Sequence, residues 1–234
     1  MFYIHVFIKL IAYLMAKKKI VLFFSLIFIF ASNLKAQMEN ETTSTVILSL
    51  GPAYCSADTK ESPIKQNILN NKDITLGFRM KFPNNFGCRT TFSYITFTGS
   101  DGASKSRSYS FSSKAWQLSV VGEYAISIGR SYISEPSQNS VYFFIGIGLL
   151  NCIPKLDYYK RANYQYKTDA NISPIIPLGF GYQHDFNNNF QIGVEYNLRW
   201  SFSDYLDGFK PPYPESKSRD MLQGFSITLG YRIM

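Results

Sequence analysis

The sequence predicts an all-β protein, an eight-stranded antiparallel transmembrane β-barrel in an up-and-down meander, formed once an N-terminal signal peptide is removed. Three observations predict it. Stretches of period-two alternation recur from residue 45 to the C-terminus, the pattern of strands whose two faces meet different surroundings. Short and long connections alternate between them, as turns on one side of a membrane and loops on the other require. The chain also carries 20 Phe and 17 Tyr but only 2 Trp, and aromatic residues favour strands over helices.

The leader is taken as residues 1–36 and the barrel domain as 37–234. Lys17, Lys18 and Lys19 form a basic region, Ile20 to Phe30 an apolar stretch broken only by Ser25, and Ala36 a small residue that suits cleavage before Gln37. The apolar stretch is shorter than the roughly 20 residues a membrane helix needs. Residues 1–14 precede this layout awkwardly. The preferred reading starts translation at Met15; the alternative is an uncleaved two-part anchor. No Cys follows the cleavage point, so lipoprotein processing is not expected. Five of the 24 basic residues lie in the leader, which holds no acid, and the remaining 19 face 16 acids. The basic balance belongs mostly to the leader and gives no support to nucleic-acid binding.

The clearest strand runs from Ile74 to Phe82, with Ile74, Leu76, Phe78, Met80 and Phe82 opposed to Thr75, Gly77, Arg79 and Lys81. Gln191–Phe202 is as regular, and Gly224–Ile233 repeats the pattern at the C-terminus. In the middle, Trp116, Leu118, Val120, Tyr124 and Ile126 alternate with Gln117, Ser119, Glu123 and Ser127. Thr45–Tyr54, Phe86–Thr98, Val141–Leu150 and Ile172–Asp185 are weaker and bring the count to eight. The short connections are Pro83–Asn85, residues 129–139 and Phe186–Asn189, rich in Asn that tolerates the left-handed backbone of tight turns. The long ones are about 55–73, 99–114, 151–171 and 204–221. An even strand number puts both termini on the side of the short turns, which in an outer-membrane barrel is the periplasm.

A soluble sandwich or lipocalin-like barrel would alternate too, with its apolar face inward. Two features favour the membrane. Glycine and charge share the polar face (Gly77, Arg79, Gly122, Glu123, Gly193, Glu195, Arg199, Gly230, Arg232), as a narrow polar interior requires. Aromatics gather near strand ends (Tyr54, Phe82, Phe86, Phe186, Phe190, Phe202, Tyr231), as interfacial girdles do. Pro174 and Pro177 resist, since each forfeits a ladder hydrogen bond. Either that strand begins near Leu178 or a bulge sits there.

The candidate site is a lumen charge cluster of Arg79, Glu123, Glu195, Arg199 and Arg232. Eight strands enclose a space just wide enough for their own side chains, so paired charges are expected to plug it rather than line a pore. The barrel domain holds one histidine, His184. Asp185 beside it points to the opposite face, so His184 lacks the base-orienting acid of a hydrolase and is read as structural. Catalysis, a cofactor and a metal are not expected. Cys88 lies near the rim opposite Cys55 and Cys152 and cannot reach them; a Cys55–Cys152 bridge stays open. The aromatic and basic loop 155–167 is read as solvated, with contact to a polymer or an anionic surface as the alternative.

Pro177-Leu-Gly-Phe-Gly-Tyr182, Gly193-Val-Glu-Tyr-Asn197 and Ser203-Asp-Tyr-Leu-Asp-Gly208 resemble the PorG-type outer-membrane barrels associated with type IX secretion, and the larger family around them. Leu76-Gly-Phe-Arg79, Gly99-Ser-Asp101 and Tyr142-Phe-Phe-Ile-Gly-Ile-Gly148 followed by Pro154 fit the same pattern. The sequence departs from it at Gly208-Phe209, where Asp-Val is usual, and at Ile233-Met234, where a terminal aromatic is commoner. The resemblance implies an eight-stranded barrel in the outer membrane, surrounded by its lipid. For PorG-type members it implies contact with a periplasmic lipoprotein ring through the short-turn face, around Asn84 and Asn187–Asn189. It singles out Asp204, Tyr205, Leu206 and Asp207 without giving them a role. The expected function is thus a non-enzymatic outer-membrane barrel, an accessory of that machine. The alternatives are a surface barrel whose long loops bind an external ligand or matrix, and a lipid-modifying barrel enzyme.

Overall fold

A computed structural model describes residues 42–56, 71–83, 85–100, 109–129, 138–158, 165–186, 189–210 and 220–233. The leader, its cleavage point, Asn84, Asp101, residues 159–164, Asn187, Asn188 and Met234 lie outside the described residues.

The strands in chain order are β1 (Thr43–Gly51), β2 (Ala53–Ser56), β3 (Lys72–Lys81), β4 (Phe86–Ser100), β5 (Tyr109–Ile128), β6 (Asn139–Tyr158), β7 (Gln165–Tyr166), β8 (Asn171–Asp185), β9 (Phe190–Ser201), β10 (Phe209–Lys210) and β11 (Met221–Ile233). β1 and β2 form one spanning strand interrupted at Pro52, because both pair with β11 in the same register, Leu50 opposite Ile227 and Ala53 opposite Gly224. Each other strand of the wall pairs antiparallel with the next, in the order β1, β3, β4, β5, β6, β8, β9, β11, and β11 returns to β1. The result is a closed eight-stranded antiparallel barrel. Closure leaves no unpaired backbone edge in lipid. β7 and β10 form a separate two-stranded ribbon at the end that carries the long connections.

The barrel is inside-out relative to a water-soluble one. Its buried residues are largely polar, Thr45, Ser49, Arg79, Arg89, Ser93, Gln117, Glu123 and Glu195 among them, while Leu76, Phe92, Val120, Ile145, Ile147, Ile227 and Leu229 are exposed on the outer wall. An aqueous exterior would not tolerate so continuous an apolar surface; hydrocarbon does. Phe86, Phe186, Phe190, Phe202 and Tyr231 sit exposed near strand ends, where a membrane barrel places its girdles. Ile147, at 74% exposure, lies mid-wall opposite Val120. Ile147→Arg is therefore expected to cost roughly 2–4 kcal/mol, read as a shift of the urea unfolding transition in phospholipid vesicles. An unshifted transition would place this face outside the hydrocarbon.

Several expectations are corrected. The third and fifth connections are shorter than 99–114 and 151–171, because β4 reaches Ser100 and β5 and β6 run 20 residues each, their pairing continuing past the start of β8. β8 neither starts at Leu178 nor bulges. It holds one register against β6 on both sides of the prolines, Ile145 opposite Leu178 and Gly148 opposite Ile175, and pairing lapses only between those pairs, where Pro177 has no N–H to give. Gly122 stands on the outer face; Val121 takes the inward place beside Glu123. Cys55 and Cys152 do not follow their strands but sit within β2 and β6, buried, and none of Cys55, Cys88 and Cys152 carries a disulfide.

Candidate functional site

The lumen contains two layers. The first is a polar network toward the short-turn end. Alternation along β3, β4, β5 and β9 aims Arg79, Arg89, Glu123 and Glu195 inward, and closure brings them together although they are far apart in sequence. Arg79 Nε lies 2.6 Å from Glu123 Oε2, Arg89 Nε 2.8 Å from Glu123 Oε1, and Arg89 Nη1 2.6 Å from Glu195 Oε2. Arg79 Nη1 donates to Gln183 Oε1 at 2.6 Å, and the Tyr142 hydroxyl donates to Glu195 Oε2 at 2.9 Å. The guanidinium of Arg79 stacks 4.7 Å from the Tyr142 ring centre and that of Arg89 4.7 Å from the Phe144 ring centre.

Two cations and two anions cancel here, and each is held by more than one partner. That is the condition under which buried ions are tolerated, because an isolated one loses far more hydration than it regains. The planar guanidinium forks fit this chain of carboxylates where a lysine would offer a point charge. Gly181 and Gly179 leave room for the rings: a Cβ at either would collide with Tyr142 or Phe144. The Gly179-Phe180-Gly181 run of β8 thus serves the lumen filling.

Of the five residues read from the sequence, Arg79, Glu123 and Glu195 share this network. Arg199 does not join it but pairs with Asp73 at 2.5 Å, and Arg232 pairs with Asp185 at 2.9 Å, part-exposed at the rim. Arg89, Tyr142, Gln183, Asp73 and Asp185 escaped the sequence reading. Asp73 extends the inward parity of Thr75, Gly77 and Arg79 by one step, Asp185 that of Gln183, and both were legible on that count. The cavity between Arg89, Glu195, Arg199 and Ser226 holds about 30 Å³, room for a water or two.

The second layer caps the barrel toward the long connections. Ile95, Phe97, Phe111, Ala115, Leu150, Cys152 and Ile175 point into the lumen and pack around Leu206, which is fully buried. Leu206 comes from the chain after β9, which folds back into the barrel mouth. Its backbone N–H donates to Asp220 Oδ2 at 2.7 Å, and its carbonyl accepts from the Ser113 hydroxyl at 2.8 Å and the Cys152 thiol at 3.4 Å. Gly208 follows with φ +76°, and a Cβ there would crowd Leu156, Pro154 and the Lys167 carbonyl. Lys167 N–H donates to the Gly208 carbonyl at 2.9 Å, tying the turn to the β7–β10 ribbon. Asp204 pairs with Lys210 at 3.1 Å, Asp207 is fully buried, and the ammonium groups of Lys167 and Lys210 lie 5.7 and 5.9 Å from the Tyr205 ring centre. Asp204, Tyr205, Leu206 and Asp207 therefore build a plug.

His184 Nδ1 is 2.7 Å from Asn139 Oδ1, and its ring meets Phe186 edge-on at 4.9 Å. Neither partner is a nucleophile or an acid. Among the described residues there is no group of three side chains that could hold a metal ion.

Solved structures resemble this fold at low identity. Neisserial surface protein A, NspA, superposes with a TM-score of 0.50 at 9% identity, over 83% of this chain and 100% of that one. Ail, the attachment invasion locus protein of Yersinia pestis, in complex with the heparin analogue sucrose octasulfate, gives 0.48 at 15% identity, again over 83% and 100%. The outer-membrane enzyme PagL gives 0.37 at 12% identity, over 81% and 99%. The likeness to NspA is one of fold. No curated protein matches the chain. Residues 19–224 match the family model described as a domain of unknown function, DUF6089, and the chain belongs to that family.

Proposed function

We propose that this protein is a non-enzymatic barrel of the bacterial outer membrane that serves as an accessory of a type IX secretion machine, meeting a periplasmic ring lipoprotein through its short-turn end. The observation that carries the reading is the filled lumen. Ion pairs close one layer and the Leu206 plug the next, so transport through the barrel is not its work and function falls to its two ends. At the short-turn end only four residues separate β3 from β4 and four separate β8 from β9, and Phe86 and Phe186 stand exposed beside those turns. Such a rim offers a docking face. The resemblance of Ser203–Gly208 and its neighbours to PorG-type barrels supports the choice of machine. His184, whose ring meets Asn139 and Phe186 among the described residues, supports a non-enzymatic role.

Affinity capture from detergent-solubilised envelopes tests this, with a photo-crosslinking residue in place of Phe186 and, as a comparison, of Lys155 at the far end. A ring lipoprotein is expected to cross-link at position 186 and not at 155. Capture that returns no lipoprotein removes the secretion assignment while leaving the barrel intact.

A further inference from the structure

Three lysines without a carboxylate partner among the described residues stand together on the outer wall. Lys72 on β3 and Lys114 on β5 both face Thr96 of β4, which sets their Cα atoms roughly 10 Å apart. Lys155 on β6 lies opposite Ser112, diagonal to Lys114 at roughly 7–8 Å. All three are exposed. Cations placed side by side on a sheet repel one another, so the arrangement favours a bound anion.

Their height on the wall says which anion. The row below them is aromatic: Tyr94 lies opposite Trp116, with ring centres 4.6 Å apart. Below that row the outer face of β5 stays apolar as far as Ile128. The strand steps from Trp116 to Ile128, at about 3.3 Å per residue and tilted about 40°, rise roughly 30 Å, the thickness of the hydrocarbon core. Tyr94 and Trp116 therefore sit at the hydrocarbon boundary at the long-connection end, where such rings prefer to lie. Lys72 and Lys114 stand one strand step above it and Lys155 two, at headgroup level, with stems long enough to converge on one group.

We propose that Lys72, Lys114 and Lys155 bind the phosphate groups of a phosphorylated glycolipid of the outer leaflet, with Tyr94 and Trp116 against its sugar–acyl boundary. The assignment of leaflet rests on the orientation in the proposed function, with the long connections outside. It does not depend on a secretion partner.

The test uses the full chain folded in neutral detergent and bisphosphorylated lipid A as the probe. Trp200→Phe leaves Trp116, beside the lysines, as the reporter of binding by fluorescence. Each lysine near an anionic surface contributes roughly a five-fold factor, so K72Q/K114Q/K155Q is expected to bind roughly a hundred-fold more weakly. Lipid A stripped of phosphate should bind the unaltered barrel just as weakly. K167Q/K210Q, which removes the same kind of charge from the plug ribbon, should change nothing. Compact migration before boiling checks that each variant is folded, and K114Q alone gives the single-step weakening if the triple variant does not fold. Unchanged binding by the folded lysine variants overturns the proposal, as does equally tight binding of dephosphorylated lipid A. Phosphatidylglycerol binding as tightly as lipid A overturns the choice of glycolipid and, with it, of leaflet.

Discussion

Replacing Arg89 with Ala is expected to remove roughly 3–5 kcal/mol of unfolding free energy. Arg89 is the only described cation that contacts both lumen glutamates, reaching Glu123 at 2.8 Å and Glu195 at 2.6 Å. Without it Glu123 keeps Arg79, but among the described residues Glu195 keeps only the Tyr142 hydroxyl. A buried carboxylate with one neutral donor is left with most of its desolvation cost. Urea titration in phospholipid vesicles, followed by the compact-to-extended shift on an unboiled gel, reads the loss. Pairing Arg89→Met with Glu195→Gln should recover most of it, because a neutral amide and an apolar side chain leave no charge stranded. A single-variant loss under about 1 kcal/mol, the value of an exposed pair, would mean that water reaches these groups and that the network is no closure.

The wall of this barrel was legible in the sequence because its signal is local. Period-two alternation gives each strand its faces without reference to any other strand, and the bounds of Ile74–Phe82 and Gln191–Phe202 lie within two residues of β3 and one of β9. The assembly of the lumen was legible only in part because it depends on which strands closure makes neighbours. Arg199 and Arg79 carry the same inward parity, yet they sit at different heights and find different partners. Tyr142 and Phe144 were hidden by a sound expectation that aromatics face lipid. They turn inward where Gly179 and Gly181 across the β6–β8 pair leave the space. The projecting ends of β5 and β6 were read as loop because Ser110, Ser112, Ser113 and Lys155 look like loop composition. Above the membrane the outer face meets water, so the apolar half of the alternation disappears while the ladder continues. Ser203–Gly208 was marked by family resemblance and by nothing local. An irregular segment held in a barrel mouth has no period to read.

That segment makes the second large prediction. Leu206→Ala should cost roughly 2–5 kcal/mol, because the side chain is fully buried among Ile95, Phe97, Leu150 and Ile175 and no neighbour hangs free to fill the space. Its position adds a consequence beyond stability. The Leu206 carbonyl accepts from the Cys152 thiol, and Cys55 shares the same apolar cluster. Loosening the plug should therefore let a membrane-impermeant maleimide, added at the long-connection end, label Cys152 and Cys55 much faster than in the unaltered chain. Arg89→Ala, which acts a layer below, should leave that rate unchanged. Ion conductance across a planar bilayer should stay at background in Leu206→Ala, since the Arg79–Glu123–Arg89–Glu195 chain still fills the lumen beneath it. The two closures stand in series, and opening one exposes thiols without opening a path. A steady current through Leu206→Ala alone would show the ion-paired layer to be permeable, and the case for a barrel that works at its ends rather than through its centre would fail with it.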